Sequence, residues 1–218
     1  MVWPKVSIIW VNYNSMRIRD VILESLDSIA SLDYPSDKYE LIVVDNNSSD
    51  GSDILIEEFL SRKSGLRWRI VRLNRNLGYA GGVNEGFKVR DRDSKYVVAM
   101  NNDAIPTQNS LKDFVEIMES YPRVGAAQGI LLKDRSTIDT AGDFASEILT
   151  PHILLHEKPA ELAPLKKTFV VSYADGAYAI YKVEALKNAY RAELVYPIGS
   201  HSYFDDGITG FLLWNAGW

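Results

Sequence analysis

The strongest constraint on the fold is a pattern repeated along the first half of the chain: an apolar run ends abruptly in polar turn residues and gives way to helical spacing. Tyr96 to Met100 carries no charged side chain and is followed at once by Asn101, Asn102, Asp103 and then Pro106. Val6 to Val11 is nearly uninterrupted and β-branched and ends at Asn12, Tyr13 and Asn14, while Leu41 to Val44 ends in the cluster DNNSSDGSD. Such runs suit strands covered on both faces, as in a parallel sheet flanked by helices. Between them Val21, Ile22, Leu26 and Ile29 follow helical spacing, as do Ile54, Leu55, Phe59 and Leu60, and later Leu111, Phe114, Val115 and Met118. Trp68 to Leu73 alternates arginine with apolar residues and reads as a strand near an edge; the glycine-rich stretch NRNLGYAGGVNEGF leads from it into a helix. Four strand-helix units in the first ~120 residues predict a mostly parallel α/β sheet with right-handed crossovers.

After that the regularity fades. Val124 to Leu132 reads as a strand, and Lys133 to Lys167 mixes prolines and both signs of charge, which predicts a loop-rich or hairpin insertion forming one wall of a cleft. Phe169 to Tyr173 and Ala177 to Tyr181 are strand-like around Asp175 and Gly176, and Val183 to Ala189 is a short helix. The last segment, HSYFDDGITGFLLWNAGW, is read only as an Asp-Asp-Gly turn in an aromatic setting.

A chain of 218 residues, 46% hydrophobic and 24% charged, is expected to build one domain. Its net charge of −5 provides no field for gripping a nucleic-acid backbone, and Arg62, Lys63, Arg67, Arg69, Arg72 and Arg75 are read as a solvated edge, with phosphate neutralisation as the alternative. The absence of cysteine excludes disulfides, thiolate metal sites and cysteine nucleophiles. The amino terminus reads as a first strand rather than a signal peptide, and no segment approaches the ~20 apolar residues needed to span a bilayer. The expected location is cytoplasmic, with peripheral attachment to a membrane surface left open.

In open α/β sheets ligands bind outside the carboxyl ends of the strands, and Asn12, Asp45, Asn47 and Asp103 all fall on that edge. A carboxylate such as Asp45 only accepts hydrogen bonds, which suits a nucleobase imide or a ribose hydroxyl; equally, Asp45, Asn46, Asn47 and Ser48 could simply cap the next helix. Gly78, Gly81 and Gly82 permit close backbone approach to an anion at a helix start or, equally, serve only tight packing in the turn, and their spacing matches neither a P-loop nor a dinucleotide fingerprint. Asp103 alone is an incomplete site for Mg²⁺ or Mn²⁺, which takes about six oxygens, so a ligand diphosphate would have to complete it. Asp205 and Asp206, among Tyr203, Phe204, Phe211 and Trp214, are candidates for general-base work on a hydroxyl. His152 and His156 are assigned to a surface loop, and His201 is an additional candidate ligand or proton carrier beside the aspartate pair.

Taken in order, VSIIWVNYN, LIVVDNNSSDGS, LNRNLGYAGGVNEGF, VVAMNNDAIP, DGAYAIYKVEAL and FDDG followed by NAGW resemble glycosyltransferase family 2, and more narrowly its rhamnosyltransferase-like branch. The resemblance implies a GT-A fold, in which a Rossmann-like, mostly parallel sheet binds the nucleotide sugar (residues 1–123) and a smaller mixed part of the same domain binds the acceptor and carries the base (residues 124–218). It implies inverting transfer of a hexosyl or rhamnosyl group from a UDP-, dTDP- or GDP-linked donor to a saccharide or glycolipid acceptor, with a divalent metal, Mn or Mg. Matched position by position, Asp103 is the implied metal ligand, with Asn101 and Asn102 completing the Asn-x-Asp form of the metal motif. Asn12, Tyr13, Asn14, Asp45 and Asn47 match the nucleoside-holding segments, and Gly78, Tyr79, Gly82 and Asn84 match the loop that closes over the donor. Asp205 and Asp206 match the family's acidic pair, whose second member is the base. The chain departs from the family in having Asp at 205, where Glu is usual, and Ile208 in place of a further acid. Such enzymes commonly continue beyond the position of Trp218. The alternatives are a non-catalytic nucleotide-sugar binding module and a sugar nucleotidyltransferase; the second is disfavoured because VNYNSM lacks the glycines its phosphate loop needs.

Overall fold

The computed structural model describes residues 3–146, 150–163, 167–200 and 204–218. The chain alternates strand and helix through its first half: β1 (Val6–Asn12), α1 (Arg19–Ala30), β2 (Tyr39–Asp45), α2 (Ser52–Ser61), β3 (Trp68–Arg72), α3 (Gly78–Val89), β4 (Tyr96–Asn101) and α4 (Ser110–Ser120). There follow β5 (Ala126–Gln128), β6 (Leu131–Leu132), β7 (Ile138–Thr140), β8 (Asp143–Ala145), β9 (Pro151–Ile153), β10 (Tyr178–Lys182), α5 (Val183–Tyr190) and α6 (Asp205–Asn215). Six strands form the central sheet in the order β3-β2-β1-β4-β10-β5. The first four are parallel; β10 runs antiparallel to β4 and to β5. The second half of the chain therefore extends the sheet of the first.

Every residue of β1 and β2 is buried, because the sheet is covered on both faces. Period-two alternation divides their side chains between two cores. Ile8, Trp10, Leu41, Val43, Val98 and Met100 pack with Ile22, Leu26, Ile56, Phe114 and Val115 of α1, α2 and α4. Ile9, Val11, Ile42, Val44, Val97 and Ala99 pack on the other side with Val83 and Phe87 of α3, Leu186 of α5 and Leu213 of α6. The buried Trp10 indole donates to Ser25 Oγ (3.0 Å), and that hydroxyl donates to the carbonyl of Ala104 (2.6 Å), tying α1 to the loop after β4.

Helix α3 lies unusually close to the sheet. A Cβ added at Gly86 would stand 2.5 Å from Ile9 Cγ2 and 3.0 Å from Val44 Cγ2, and one at Gly82 would stand 2.9 Å from Val11 Cγ1. These partners are themselves fully packed and cannot retreat. Gly86→Ala is therefore expected to destabilise the fold by about 1–3 kcal/mol despite alanine's better helix propensity, read as a lower urea midpoint at unchanged slope; an unchanged midpoint would mean that α3 can lift off the sheet freely.

Three expectations are corrected. Val124 to Leu132 is not one strand, since β5 and β6 belong to different sheets. Phe169 to Tyr173 is not a strand: it meets β8 through the isolated bridge from Tyr173 to Asp143, the Ala145 N–H donating to Ser172 Oγ (3.1 Å) and the stack of Phe169 on Phe144 with ring centroids 6.5 Å apart. The Asp-Asp-Gly segment is the first turn of helix α6 rather than an isolated turn. The anticipated hairpin insertion forms as the antiparallel pairs β6 with β7 and β8 with β9. The basic stretch sits along edge strand β3 and its surroundings, where Arg69 pairs with Glu40 (2.8 Å) and Arg72 with Asp53 (3.0 Å) and Glu57 (2.6 Å).

Candidate active site

The carboxyl ends of β1, β2 and β4 lie side by side, with Asn12 opposite Asp45 and Val11 opposite Asn101 in the strand register. Asn12 and Asp45 are both buried, and they knit the ends of β1 and β2 together. Asn12 Nδ2 lies 2.9 Å from Asp45 Oδ1, 3.0 Å from Ser52 Oγ and 3.1 Å from Ser48 Oγ, while Asn12 Oδ1 accepts from Ser15 Oγ. Asp45 Oδ2 takes the Ser48 N–H at 3.0 Å, and each carboxylate oxygen keeps further lone-pair capacity for a ligand. The exposed surface above this support consists of Tyr13, Asn14 and Asn47. Asn14 and Asn47 adopt left-handed conformations (φ 45° and 66°), which asparagine tolerates, and Asn14 Oδ1 accepts the Ser49 N–H at 2.8 Å.

The glycine-rich turn is fixed by Asn46, read from the sequence only as one of four residues that could cap the next helix. Asn46 is buried, donates from Nδ2 to the Gly78 carbonyl (2.9 Å) and accepts the Leu77 N–H on Oδ1 (2.9 Å). Gly78 takes φ +73° as the chain enters α3, a conformation that needs glycine. Gly82 and Asn84 each make a structural contact. Gly82 allows close packing on Val11, and the buried Asn84 accepts the N–H groups of Val195 (2.9 Å) and Tyr196 (3.1 Å) while donating to the Tyr196 carbonyl (2.9 Å). Asn84 thus clamps the segment that leads toward α6.

Asp103 is exposed in the turn that follows β4. The turn is anchored where the Asn101 N–H donates to the Ala177 carbonyl (3.0 Å) and where Ser25 holds Ala104. Among the described residues no group of three or more His, Asp or Glu side chains could hold a metal ion.

The aspartate pair is split by the first turn of α6. Asp205 is buried and its carboxylate accepts from Ser200 Oγ. Asp206 is partly exposed, with Oδ2 accepting the Gly176 N–H (2.9 Å) and Oδ1 the Gly207 N–H (2.7 Å). Gly176 also links this carboxylate to the donor-side helix, since the Tyr79 hydroxyl of α3 donates to the Gly176 carbonyl at 2.6 Å. Burial holds the Tyr79 phenol well above its ordinary pKa, followed by Tyr181 and then the charges of Asp175, Asp206 and Asp103.

Asp175 was singled out in the sequence only as part of a strand-like segment. Its N–H donates to Gln128 Oε1 (2.8 Å), and its Oδ1 accepts the Ala177 N–H (2.7 Å). Burial pushes its carboxyl up to about 6, aided by the negative charges of Asp143, Asp206 and Asp139. Burial raises Asp143 as well, against a hydrogen bond from Thr140 (3.0 Å). His152 lies in strand β9 opposite Phe144 rather than in a loop, and His156 in the turn after it; both are exposed, with His156 Nδ1 2.7 Å from the Asp139 carbonyl. His201 and Tyr203 lie outside the described residues.

A mostly parallel six-stranded sheet with helices on both faces and an antiparallel extension is the architecture of a GT-A-type protein. Residues 7–189 match the family model for glycosyl transferase family 2, and the chain belongs to that family. It is 28% identical over 127 residues to the probable glycosyltransferase YdaM of Bacillus subtilis, covering 58% of this chain and 29% of YdaM. It is 26% identical over 117 residues to the poly(ribitol-phosphate) β-N-acetylglucosaminyltransferase TarS of Staphylococcus aureus, covering 54% of this chain and 19% of TarS. Among solved structures, the mannosyltransferase PcManGT from Pyrobaculum calidifontis in complex with GDP-Man and Mn²⁺ aligns with a TM-score of 0.70 at 23% identity, covering 99% of this chain and 53% of that one. Residues 1–349 of TarS in complex with UDP-GlcNAc align with a TM-score of 0.69 at 18% identity, covering 97% and 54%. The chain thus spans less than a third of these curated relatives and about half of these solved chains. No helix among the described residues is long and apolar enough to cross a membrane.

Proposed function

We propose that the chain carries the catalytic domain of an inverting glycosyltransferase that moves a hexosyl or rhamnosyl group from a nucleoside-diphosphate donor to a hydroxyl of a saccharide or glycolipid acceptor. The observation that carries this reading is the mounting of Asp206: a partly exposed carboxylate fixed by two backbone N–H groups, one of them on the strand lead-in that Tyr79 ties to the donor side. Asp45 and Asn12, with Tyr13, Asn14 and Asn47 above them, hold the nucleoside; Gly78 and the start of α3 approach the diphosphate. Asp206 accepts the proton of the acceptor hydroxyl as that oxygen attacks the anomeric carbon and the bond to the diphosphate breaks on the opposite face, which inverts the centre without a covalent intermediate. A divalent ion, Mn²⁺ or Mg²⁺, held by Asp103 beside Asn101 and Asn102 would neutralise charge on the departing diphosphate. The donors bound by PcManGT and TarS, GDP-Man and UDP-GlcNAc, are the first candidates to test.

The test is turnover of UDP-GlcNAc and GDP-Man with and without Mn²⁺, alongside calorimetry with UDP and GDP. Asp103→Ala is expected to lower Mn²⁺-dependent turnover about 100-fold or more, since a metal ion contributes several kcal/mol to transition-state charge stabilisation. Full turnover in that variant would remove Asp103 from the site. Tight nucleotide binding with no turnover across a wider donor and acceptor panel would support a binding module instead.

A further inference from the structure

We propose that Tyr79 is a positioning residue for the base, holding Asp206 in place through the backbone of Gly176 rather than contacting the donor. The inference rests on the reading of Asp206 as the base. Tyr79 has one hydroxyl proton, and it is given to the Gly176 carbonyl at 2.6 Å. The N–H of that same residue donates to Asp206 Oδ2 at 2.9 Å, so a single Cα separates the group that Tyr79 holds from the group that holds the base.

Gly176 has no side chain to fix its two peptide planes, and hydrogen bonds must do so. On one flank the Asp175 N–H is tied to Gln128 (2.8 Å); on the other the Ala177 carbonyl is tied to the Asn101 N–H (3.0 Å). Between those anchors the Gly176–Ala177 peptide plane is held by two bonds, the Tyr79 hydroxyl on its carbonyl and its Ala177 N–H on Asp175 Oδ1 (2.7 Å). The position is also closed to a side chain, because a Cβ at Gly176 would stand 2.8 Å from the buried Tyr196 hydroxyl. Burial and the surrounding carboxylates keep the Tyr79 phenol protonated, so it remains a donor wherever the enzyme works. Removing the hydroxyl leaves a carbonyl without its partner and its peptide plane on the Asp175 bond alone, which loosens the rotation that aims the Gly176 N–H at Asp206.

Tyr79→Phe deletes one oxygen and keeps the ring beside Tyr196, where the centroids are 5.9 Å apart. In ¹⁵N-glycine-labelled protein without ligand, the Gly176 amide of this variant is expected to exchange with solvent about tenfold faster. With Mn²⁺ and whichever of UDP-GlcNAc or GDP-Man is turned over, kcat is expected to fall about tenfold to a hundredfold, as for a small misplacement of a catalytic group, with donor KM held within about twofold. Unchanged Gly176 exchange overturns the proposal, as does a rise in donor KM at unchanged kcat, which would make Tyr79 a donor contact. Full turnover in Asp206→Asn overturns the base assignment instead; the amide measurement requires no turnover and separates the two failures.

Discussion

Asp206→Asn is expected to reduce kcat by about 10²- to 10⁴-fold, the usual contribution of a positioned general base, while nucleotide binding stays within about twofold. The substitution preserves shape and removes the ability to take a proton. Two features of the fold make the loss specific to this member of the pair. Asp206 is partly exposed and held by Gly176 and Gly207 N–H groups, whereas Asp205 is 4% exposed and turned toward Ser200. An asparagine oxygen can satisfy only one of the two N–H groups that meet Asp206, so its NH₂ must face the other, and Asp206→Asn loses alignment as well as basicity. Comparing kcat with donor KM separates this from a donor-site defect: a variant that retains kcat but binds donor poorly would move Asp206 out of the catalytic role and into the donor site.

The parallel part of the fold was legible because burial on both faces of β1, β2 and β4 permits only apolar runs there, and such runs end where the chain turns toward solvent. The far half was less legible for physical reasons. Helix α6 carries Gly207 and Gly210, poor helix formers, because it passes so close to its neighbours that a Cβ at Gly210 would stand 2.4 Å from Tyr173 Cβ and 2.7 Å from the Ser172 carbonyl. The glycines that conceal the helix are the ones its packing requires. Phe169 to Tyr173 has strand composition, yet its aromatic content serves a stack on Phe144 rather than a hydrogen-bonded ladder. In the site, the carboxylates at strand ends could be found from position alone. Asn46 was visible only as one of several capping candidates, Asn84 only through the family resemblance and Gln128 not at all, because each acts through its side-chain amide on the backbone of a distant segment, and nothing local in the sequence marks that partnership.

Asp175→Asn is expected to stabilise the protein near neutral pH and to lose that advantage in acid. Burial is the main cause of the Asp175 carboxyl rising to about 6, with Asp143, Asp206 and Asp139 adding repulsion and the Ala177 N–H opposing it. Because the folded value lies above the ordinary 3.8, the folded protein binds this proton more tightly than the unfolded chain. The resulting stabilisation is complete below about pH 4 and is lost as pH rises through about 6, so that above this window the fold carries a poorly solvated carboxylate among other negative charges. Asparagine keeps an oxygen for the Ala177 N–H and never ionises. Its expected gain at pH 7.5 is about 1 to 3 kcal/mol, the upper figure following from the two carboxyl values and the lower from screening of a partly exposed group. Urea unfolding of both proteins between pH 4 and pH 7.5 should give curves that meet in acid and separate through pH 4 to 6; parallel curves would mean that Asp175 does not experience the Asp143 and Asp206 charges. A residue that weakens the fold at neutral pH, one position before the glycine that holds Asp206, fits a site in which carboxylates are assembled for chemistry at the expense of stability.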